Sequence, residues 1–267
     1  MHRGRLKQLL QSENVAVGTF IFLRDPAAID IAGGAGLDFV VIDCEHSGKT
    51  IESIEDMVRA AEAAGVSSVV RVADVHESTI TQVLETGAQG LMIPCVSSAK
   101  IASRAWSASR YPPRGRRGVC RVSRSAGYGE FMGNMDRYMK QADSDVALIG
   151  TIEDKQAVDN AAAILNSGRF DACVVGRGDL SADLGVPGQM SNPKVKRAVA
   201  RVEKAVKDTR CALGIATYDI DEAKQFIQIG YRCLIFSADV YALHKSMKHA
   251  AQSLHDTELG AGRAIVA

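Results

Sequence analysis

DFVVIDCEH, Asp38 to His46, is the stretch on which the reading of this chain turns. Phe39, Val40, Val41 and Ile42 run without polar alternation, and such a run reads as a strand that is dry on both faces, as in a parallel sheet. Asp43, Glu45 and His46 arrive together at its end, where α/β folds gather their chemistry. The arrangement recurs twice. Glu153 closes VALIGTIE, and Asp179 follows DACVVGRG. Three apolar strands that end on carboxylates or an imidazole read as an enzyme.

Working outward, short apolar runs alternate with amphipathic stretches eight times. The expected strands are VAVGTF, DFVVID, SSVVRV, GLMIP, VALIGTIE, DACVVG, ALGIAT and CLIFSA. Between them the 3.6-residue period predicts helices over Glu52–Gly65, Glu77–Gly87 and Asp221–Gly230, each closing on a glycine at the position just past the helix end. Eight such units match a (β/α)₈ TIM barrel, which takes about 250 residues. The expectation is one barrel domain over residues 1–267. A doubly wound open sheet is the rival, but it favours a glycine-rich turn after its first strand, and FLRDPAAID offers none. One long irregular stretch stands out, Tyr111 to Asn134, and loops of that length inside compact domains tend to be functional.

Composition narrows the class. A 46% hydrophobic and 24% charged chain carries a full core, and a net charge of +1 gives no general drive toward nucleic acid or an anionic membrane. No apolar run approaches the roughly 18 residues of a membrane span. The first residues offer only a Leu-Leu pair where a secretion signal needs an apolar centre. Six cysteines lack CxxC spacing and two, Cys173 and Cys233, sit inside expected strands, so they read as reduced, mostly buried thiols of a cytoplasmic protein.

Glu153 and Asp179 end neighbouring strands of the expected barrel, so their carboxylates converge. Unpaired they would repel, and a divalent cation is the simplest neutraliser. An oxygen-rich pair suits Mg²⁺ or Mn²⁺, and the clustered His and Cys that zinc favours are missing. The plainer roles are structural, with Glu153 capping the next helix and Asp179 capping the turn DLSADLG. His46 beside Asp43 and Glu45 reads as a base oriented by a carboxylate, or else as a solvent-facing loop residue. Arg71 ends SSVVRV, where a cation suits an anionic substrate or a developing oxyanion, or else an ion pair with Asp43. Arg114, Arg116, Arg117, Arg121 and Arg124 make the long loop basic. Without interleaved stacking aromatics, they point to a carboxylate or phosphate on a second substrate and away from nucleic acid. Arg177-Gly178-Asp179 spells an adhesion tripeptide, but at a barrel rim Gly178 more simply lets a backbone N–H approach an anion. Among the lysines only Lys49 and Lys155 follow closely behind an expected strand end, and neither points inward from one, so no imine-forming lysine is expected.

Taken together, IDCEH, RV at Arg71, ETGAQGLMIP, RYPPRGRRG, IED at Glu153 and GRGDLSADLG resemble the HpcH/HpaI family of metal-dependent pyruvate aldolases, over about residues 15 to 245. The resemblance implies a TIM barrel that makes or cleaves a carbon–carbon bond of a 2-oxo acid through a pyruvate-type enolate. It implies that His46 and Asp43 form the proton-transfer dyad and that Arg71 holds the keto or enolate oxygen. Glu153 and Asp179 would bind Mg²⁺ or Mn²⁺, and Gly178 and Asp179 would offer backbone N–H groups to the pyruvate carboxylate. It further implies a hexamer with an exchanged C-terminal helix, in which Glu85 reaches the site of a neighbouring subunit. The chain departs from the family where Thr151 replaces glutamine, Arg177 replaces proline and Phe20 replaces tryptophan. These positions line the expected pocket, so the acceptor is left open between an aldehyde and an acyl-CoA, and Arg177 would suit an anionic one. The alternatives are a citrate-synthase-like condensation of oxaloacetate with acetyl-CoA, as in siderophore pathways, and a non-catalytic barrel that binds a 2-oxo acid.

Overall fold

The computed structural model describes residues 4–256; the outermost parts of the expected domain, residues 1–3 and 257–267, lie outside the described residues. The chain runs α1 (Arg5–Leu10), β1 (Ala16–Ile21), α2 (Ala27–Gly34), β2 (Phe39–Asp43), α3 (Ile51–Ala63), β3 (Ser67–Arg71), α4 (Glu77–Glu85), β4 (Gly90–Ile93), α5 (Ala99–Ala108), α6 (Met135–Asp145) and β5 (Ala147–Ile152). It continues through α7 (Lys155–Asp159), α8 (Ala161–Leu165), β6 (Ala172–Val175), α9 (Arg177–Asp183), α10 (Pro193–Val206), β7 (Ala212–Thr217), α11 (Ile220–Gln228), β8 (Cys233–Ala238) and α12 (Asp239–His255). The eight strands pair in sequence order, all parallel, and β8 closes on β1. This is the expected TIM barrel, and each expected strand lies within a residue or so of the observed one. The three glycine stops are also in place, since Gly65, Gly87 and Gly230 take φ of 71°, 88° and 103° just past α3, α4 and α11.

Alternation along each strand sorts the apolar residues into two cores. Outward residues such as Val40, Ile42, Val70, Leu91 and Leu148 pack under the helices. Inward ones, among them Phe39, Val41, Val69, Met92, Ile149 and Val174, fill the barrel. The barrel has room for the Phe39 ring because Gly18 faces it; a Cβ there would lie 2.6 Å from the ring. At the N-terminal end of the barrel, α1 acts as a plug. Leu6 and Leu10 are buried in the interior cluster, which gives the Leu-Leu segment of the sequence a structural use.

The filled interior leaves the C-terminal end of the barrel as the place for a cavity. The long irregular stretch does not overhang that end. It follows α5, whose chain direction opposes the strands, and it is stitched to segments that precede strands. Arg110 Nη2 donates to the Val146 carbonyl at 3.0 Å, just before β5, and the Ser125 N–H donates to the Glu85 carbonyl at 3.2 Å, just before β4. Arginines of this stretch are largely spent on structure. Arg117 pairs with Glu85 at 2.8 Å, and Arg124 pairs with Glu62. Exposed Arg121 donates to the Met132 carbonyl at 3.4 Å. Arg121 and its neighbours, expected to serve a second substrate, lie in an αβ connection, which belongs to the face of their own barrel opposite the strands' C-terminal ends.

Candidate active site

The C-terminal ends of β2, β3 and β5 carry buried polar groups that point into the barrel axis. Asp43 is 0% exposed and Arg71 8%, and the strand register sets them directly opposite each other. Arg71 Nε donates to Asp43 Oδ1 at 2.7 Å. The two backbone N–H groups of Glu45 and His46 donate to Asp43 Oδ1 and Oδ2, each at 3.1 Å. A carboxylate so surrounded holds the turn after β2 in one conformation. Arg71 Nη1 lies 3.2 Å from Glu45 Oε2, and its guanidinium sits over the Phe20 ring, 4.7 Å from the centroid. Among the described residues, Nη2 has no acceptor.

The expected pairing of the His46 imidazole with Asp43 is not made. Asp43 receives the His46 backbone, while His46 Nε2 stands 3.6 Å from Glu45 Oε2 with 56% of its side chain exposed. Burial pushes the Glu45 carboxyl above its usual range, partly opposed by the Arg71 charge. Glu45 is thus the link between the buried cation and the exposed imidazole. The sequence signalled it only by placing it in the same motif.

Glu153 follows β5 and is 6% exposed. Its Oε1 accepts from the Cys95 N–H at 2.6 Å and lies 2.7 Å from the Thr151 hydroxyl, which also lies 3.1 Å from the Ile93 carbonyl. Its Oε2 rests over Gly176, where an added Cβ would stand 2.6 Å away, so glycine is what leaves that oxygen space. The plainer capping roles are not used. Asp154 caps α7 through its bond to the Ala157 N–H, and Asp179 in the first turn of α9 makes no capping bond. Cys95 reaches Glu153 by adopting a left-handed φ of 51°. That conformation costs a non-glycine residue roughly 1–2 kcal/mol. A Cys95→Gly variant is expected to keep the fold's melting temperature and its metal affinity, because strain relief offsets glycine's added chain entropy. Cys95→Pro, which fixes φ near −65° and deletes the donor, should lose both. Equal behaviour of the two variants in metal titration and thermal melting would show that this N–H does not orient Glu153.

Phe20, Arg71, Thr151, Glu153, Gly178 and Asp179 line a cavity of about 700 Å³, whereas Asp43, Glu45 and His46 stand outside its lining. Arg177 also borders it, but not as a free cation. Its Nη1 and Nη2 bind Glu222 Oε1 and Oε2 at 2.6 and 2.7 Å, and Nη2 lies 3.2 Å from the Ala216 carbonyl. The paired guanidinium holds the Glu222 carboxyl below its usual range. Arg177, expected to suit an anionic acceptor, thus meets the cavity already paired with Glu222. Sequence reasoning missed Lys245 of α12, which lines the outer wall and forms no ion pair with the described residues; it lies beyond any strand end, where no motif marks it. Glu85 lies at the barrel's N-terminal end, bound to Arg117 and Ser125, and does not reach its own chain's cavity.

The donor set can be tested against a divalent cation. Among the described residues no three His, Cys, Asp or Glu side chains are grouped as a cage. The barrel offers one buried carboxylate with an oxygen kept clear by glycine, and one exposed carboxylate. That is the donor set of an ion of the Mg²⁺ kind, held by one or two carboxylates and completed by substrate and water. The residues fit.

A closed parallel barrel with ionisable groups converging at the strands' C-terminal ends is a TIM-barrel enzyme by architecture and site. The model of the HpcH/HpaI aldolase/citrate lyase family matches residues 16–245, and the chain belongs to that family. It is 32% identical over 246 residues to a hydroxypyruvate/pyruvate aldolase of Roseobacter denitrificans, covering 92% of this chain and 94% of the relative. A crystal structure of an HpcH/HpaI family protein from Burkholderia cenocepacia superposes with a TM-score of 0.89 at 32% identity, covering 95% of this chain and all of that one. Citrate synthase SbnG superposes with a TM-score of 0.84 at 27% identity, covering 93% and 96%. The chain is accordingly a lyase-type enzyme of carbon–carbon bonds, not a silent binding barrel.

Proposed function

We propose that this chain is a divalent-metal-dependent aldolase acting on a 2-oxo acid through a pyruvate-type enolate. The observation that carries the reading is the convergence of Glu153, Asp179 and Arg71 on one cavity at the barrel mouth. Mg²⁺ or Mn²⁺, held by Glu153 and Asp179, would supply Lewis-acid charge to the substrate's carboxylate and keto oxygens. The rest of the chemistry belongs to the chain. The N–H groups of Gly178 and Asp179 receive the substrate carboxylate, and Arg71 Nη2 faces the keto oxygen as it gains charge. Thr151 and the Cys95 N–H keep Glu153 in place. In the cleavage direction His46 takes the proton of the hydroxyl on C4, the C3–C4 bond breaks, and the aldehyde leaves the enolate behind. Glu45 Oε2 stands 3.6 Å from the Nε2 of that ring.

The cavity far exceeds a pyruvate, so a second substrate occupies its outer part. An aldehyde is the first reading. Condensation of oxaloacetate with acetyl-CoA is the second, favoured by the likeness to citrate synthase SbnG. We also propose a homo-oligomer, hexameric as the resemblance implies. Helix α12 has 17 residues and buries none of them, leaving Leu243 and Met247 exposed at 47% and 62%. An isolated helix with such a face needs a partner, and exchange between copies supplies one. Free, buried Cys173, Cys211 and Cys233 fit a reducing compartment such as the cytoplasm.

The expected result with EDTA is loss of turnover, restored by Mg²⁺ or Mn²⁺, in an assay of pyruvate or oxaloacetate with a panel of aldehydes and with acetyl-CoA. No lysine should be trapped by borohydride with pyruvate. Lys49 Nζ is engaged by the Ile21 and Phe22 carbonyls at 3.0 and 2.9 Å, and Lys155 is 70% exposed beside Asp159. A reduced pyruvate adduct found by mass spectrometry, or full activity in EDTA, would overturn the metal mechanism. Free thiol released from acetyl-CoA only with oxaloacetate, and no aldehyde turnover, would establish the second reading in its place.

A further inference from the structure

The turn that carries Asp179 is built as Gly176-Arg177-Gly178, so a single side chain stands between two glycines. Gly176 is required by its contact with Glu153, and a Cβ on Gly178 would meet nothing within 4 Å. Two glycines on either side of one residue leave a backbone free to wander, because each lacks the Cβ that confines φ and ψ. The later part of α9 has its own anchors. Leu180 is fully buried, Ser181 Oγ donates to the Gly178 carbonyl at 2.7 Å, and Asp183 accepts from the Lys155 N–H at 2.7 Å. In the first turn, Arg177 is the side chain that crosses to another element.

Its reach is specific. The guanidinium forms a two-pronged bond to Glu222 of α11, touches the Ala216 carbonyl in β7, and lies 5.1 Å from the Phe226 ring centroid. Glu222 is fixed from three further directions: the Thr217 hydroxyl donates to its Oε2, its own N–H donates to Asp219 Oδ1 at 2.8 Å, and its backbone is part of α11. A planar fork bound to a carboxylate that is itself held resists rotation in a way that a single-point contact does not.

We infer that Arg177 is a positioning residue, a clamp between α9 and the β7–α11 corner that fixes the Asp179 carboxylate and the N–H groups of Gly178 and Asp179. The inference rests on the assignment of Asp179 as a metal ligand. Groups that orient a ligand without touching the ion typically cost about 10–100-fold in metal affinity when removed. Mn²⁺ titration, followed by the loss of the free-ion spin-resonance signal, reads this without any turnover. Arg177→Ala should weaken Mn²⁺ about tenfold or more. Arg177→Lys should recover part of that loss, since an ammonium keeps the charge and loses the fork, and Glu222→Gln should lie between wild type and Arg177→Ala. Tyr138→Phe, which removes a buried 2.9 Å bond to Ser125 at the opposite end of the barrel, serves as the control for general destabilisation. It should lower the melting temperature and leave Mn²⁺ affinity unchanged. If Arg177→Ala does not fold, the Lys and Gln variants carry the test. Wild-type affinity in the Arg177 and Glu222 variants, or an equal loss in Tyr138→Phe, overturns the clamp while the metal reading stands. A wild-type enzyme that binds no Mn²⁺ overturns the metal reading and the clamp with it.

Discussion

Replacing Glu153 by alanine should abolish metal binding and reduce turnover by about 10³-fold or more while leaving the barrel folded. The rate follows from charge. A Lewis acid contributes several kcal/mol to a developing enolate, and each 1.4 kcal/mol is about tenfold. Glu153 is the more consequential of the two carboxylates, because it is 6% exposed and its orientation is fixed at Oε1 by the Cys95 N–H and the Thr151 hydroxyl. Asp179 is exposed at the head of a short helix, so Asp179→Ala should weaken metal less steeply. Folding should survive because residues at the strands' C-terminal ends serve chemistry more than stability. Removing Glu153 even deletes a buried charge, although it leaves the Cys95 N–H without an acceptor at a cost of about 1–3 kcal/mol. Metal content after dialysis, alongside circular dichroism and oxaloacetate turnover, makes the comparison. Wild-type metal affinity in both alanine variants would show that the ion is held elsewhere.

Far more of the fold than of the site was legible in the sequence, and the reason is physical. Strands buried on both faces write themselves as unbroken apolar runs, so FVVI, SSVVR and CLIFSA announce β2, β3 and β8 without knowledge of any neighbour. Strand order then follows from chain order in a closed parallel barrel. The same logic finds rim residues that directly end a strand, which is why Asp43, Arg71 and Glu153 were visible. It does not find which partner a side chain chooses. Asp43 and His46 are three apart, and nothing in that spacing reveals that Asp43 takes the backbone N–H and Glu45 the imidazole. Arg177 looked available for an anion because its partner Glu222 lies 45 residues on, across an intervening strand. The placement of the basic loop was hidden for a related reason. Charge is readable locally, but the end of the barrel on which a loop falls depends on whether it follows a strand or a helix. Here Tyr111–Asn134 follows α5.

Arg71→Ala should damage stability and catalysis together, and the two effects can be separated. Asp43 is fully buried, and Arg71 Nε is its one cationic partner among the described residues. Without it, the carboxylate keeps two backbone N–H bonds but loses its counter-charge. Stranding one member of a buried pair typically costs about 3–5 kcal/mol. The variant should therefore melt well below wild type, with the deficit shrinking in a double variant, Arg71→Ala with Asp43→Asn, where the stranded charge is gone. Catalysis should not recover in the same double variant. If Arg71 Nη2 holds the oxygen that becomes negative in the enolate, its loss costs on the order of 10² to 10³ in rate. That loss should fall equally on aldol cleavage, oxaloacetate decarboxylation and any condensation, since all three pass through the enolate. Arg71→Lys should recover stability more than rate, because an ammonium can neutralise Asp43 but cannot at the same time reach Glu45 and the substrate as a planar fork does. Thermal melting and the three rates measured on the four proteins decide the matter. Should the double variant regain wild-type turnover along with its stability, Arg71 would be a scaffold for Asp43 alone, and the oxygen-holding role would have to pass to another group in the cavity.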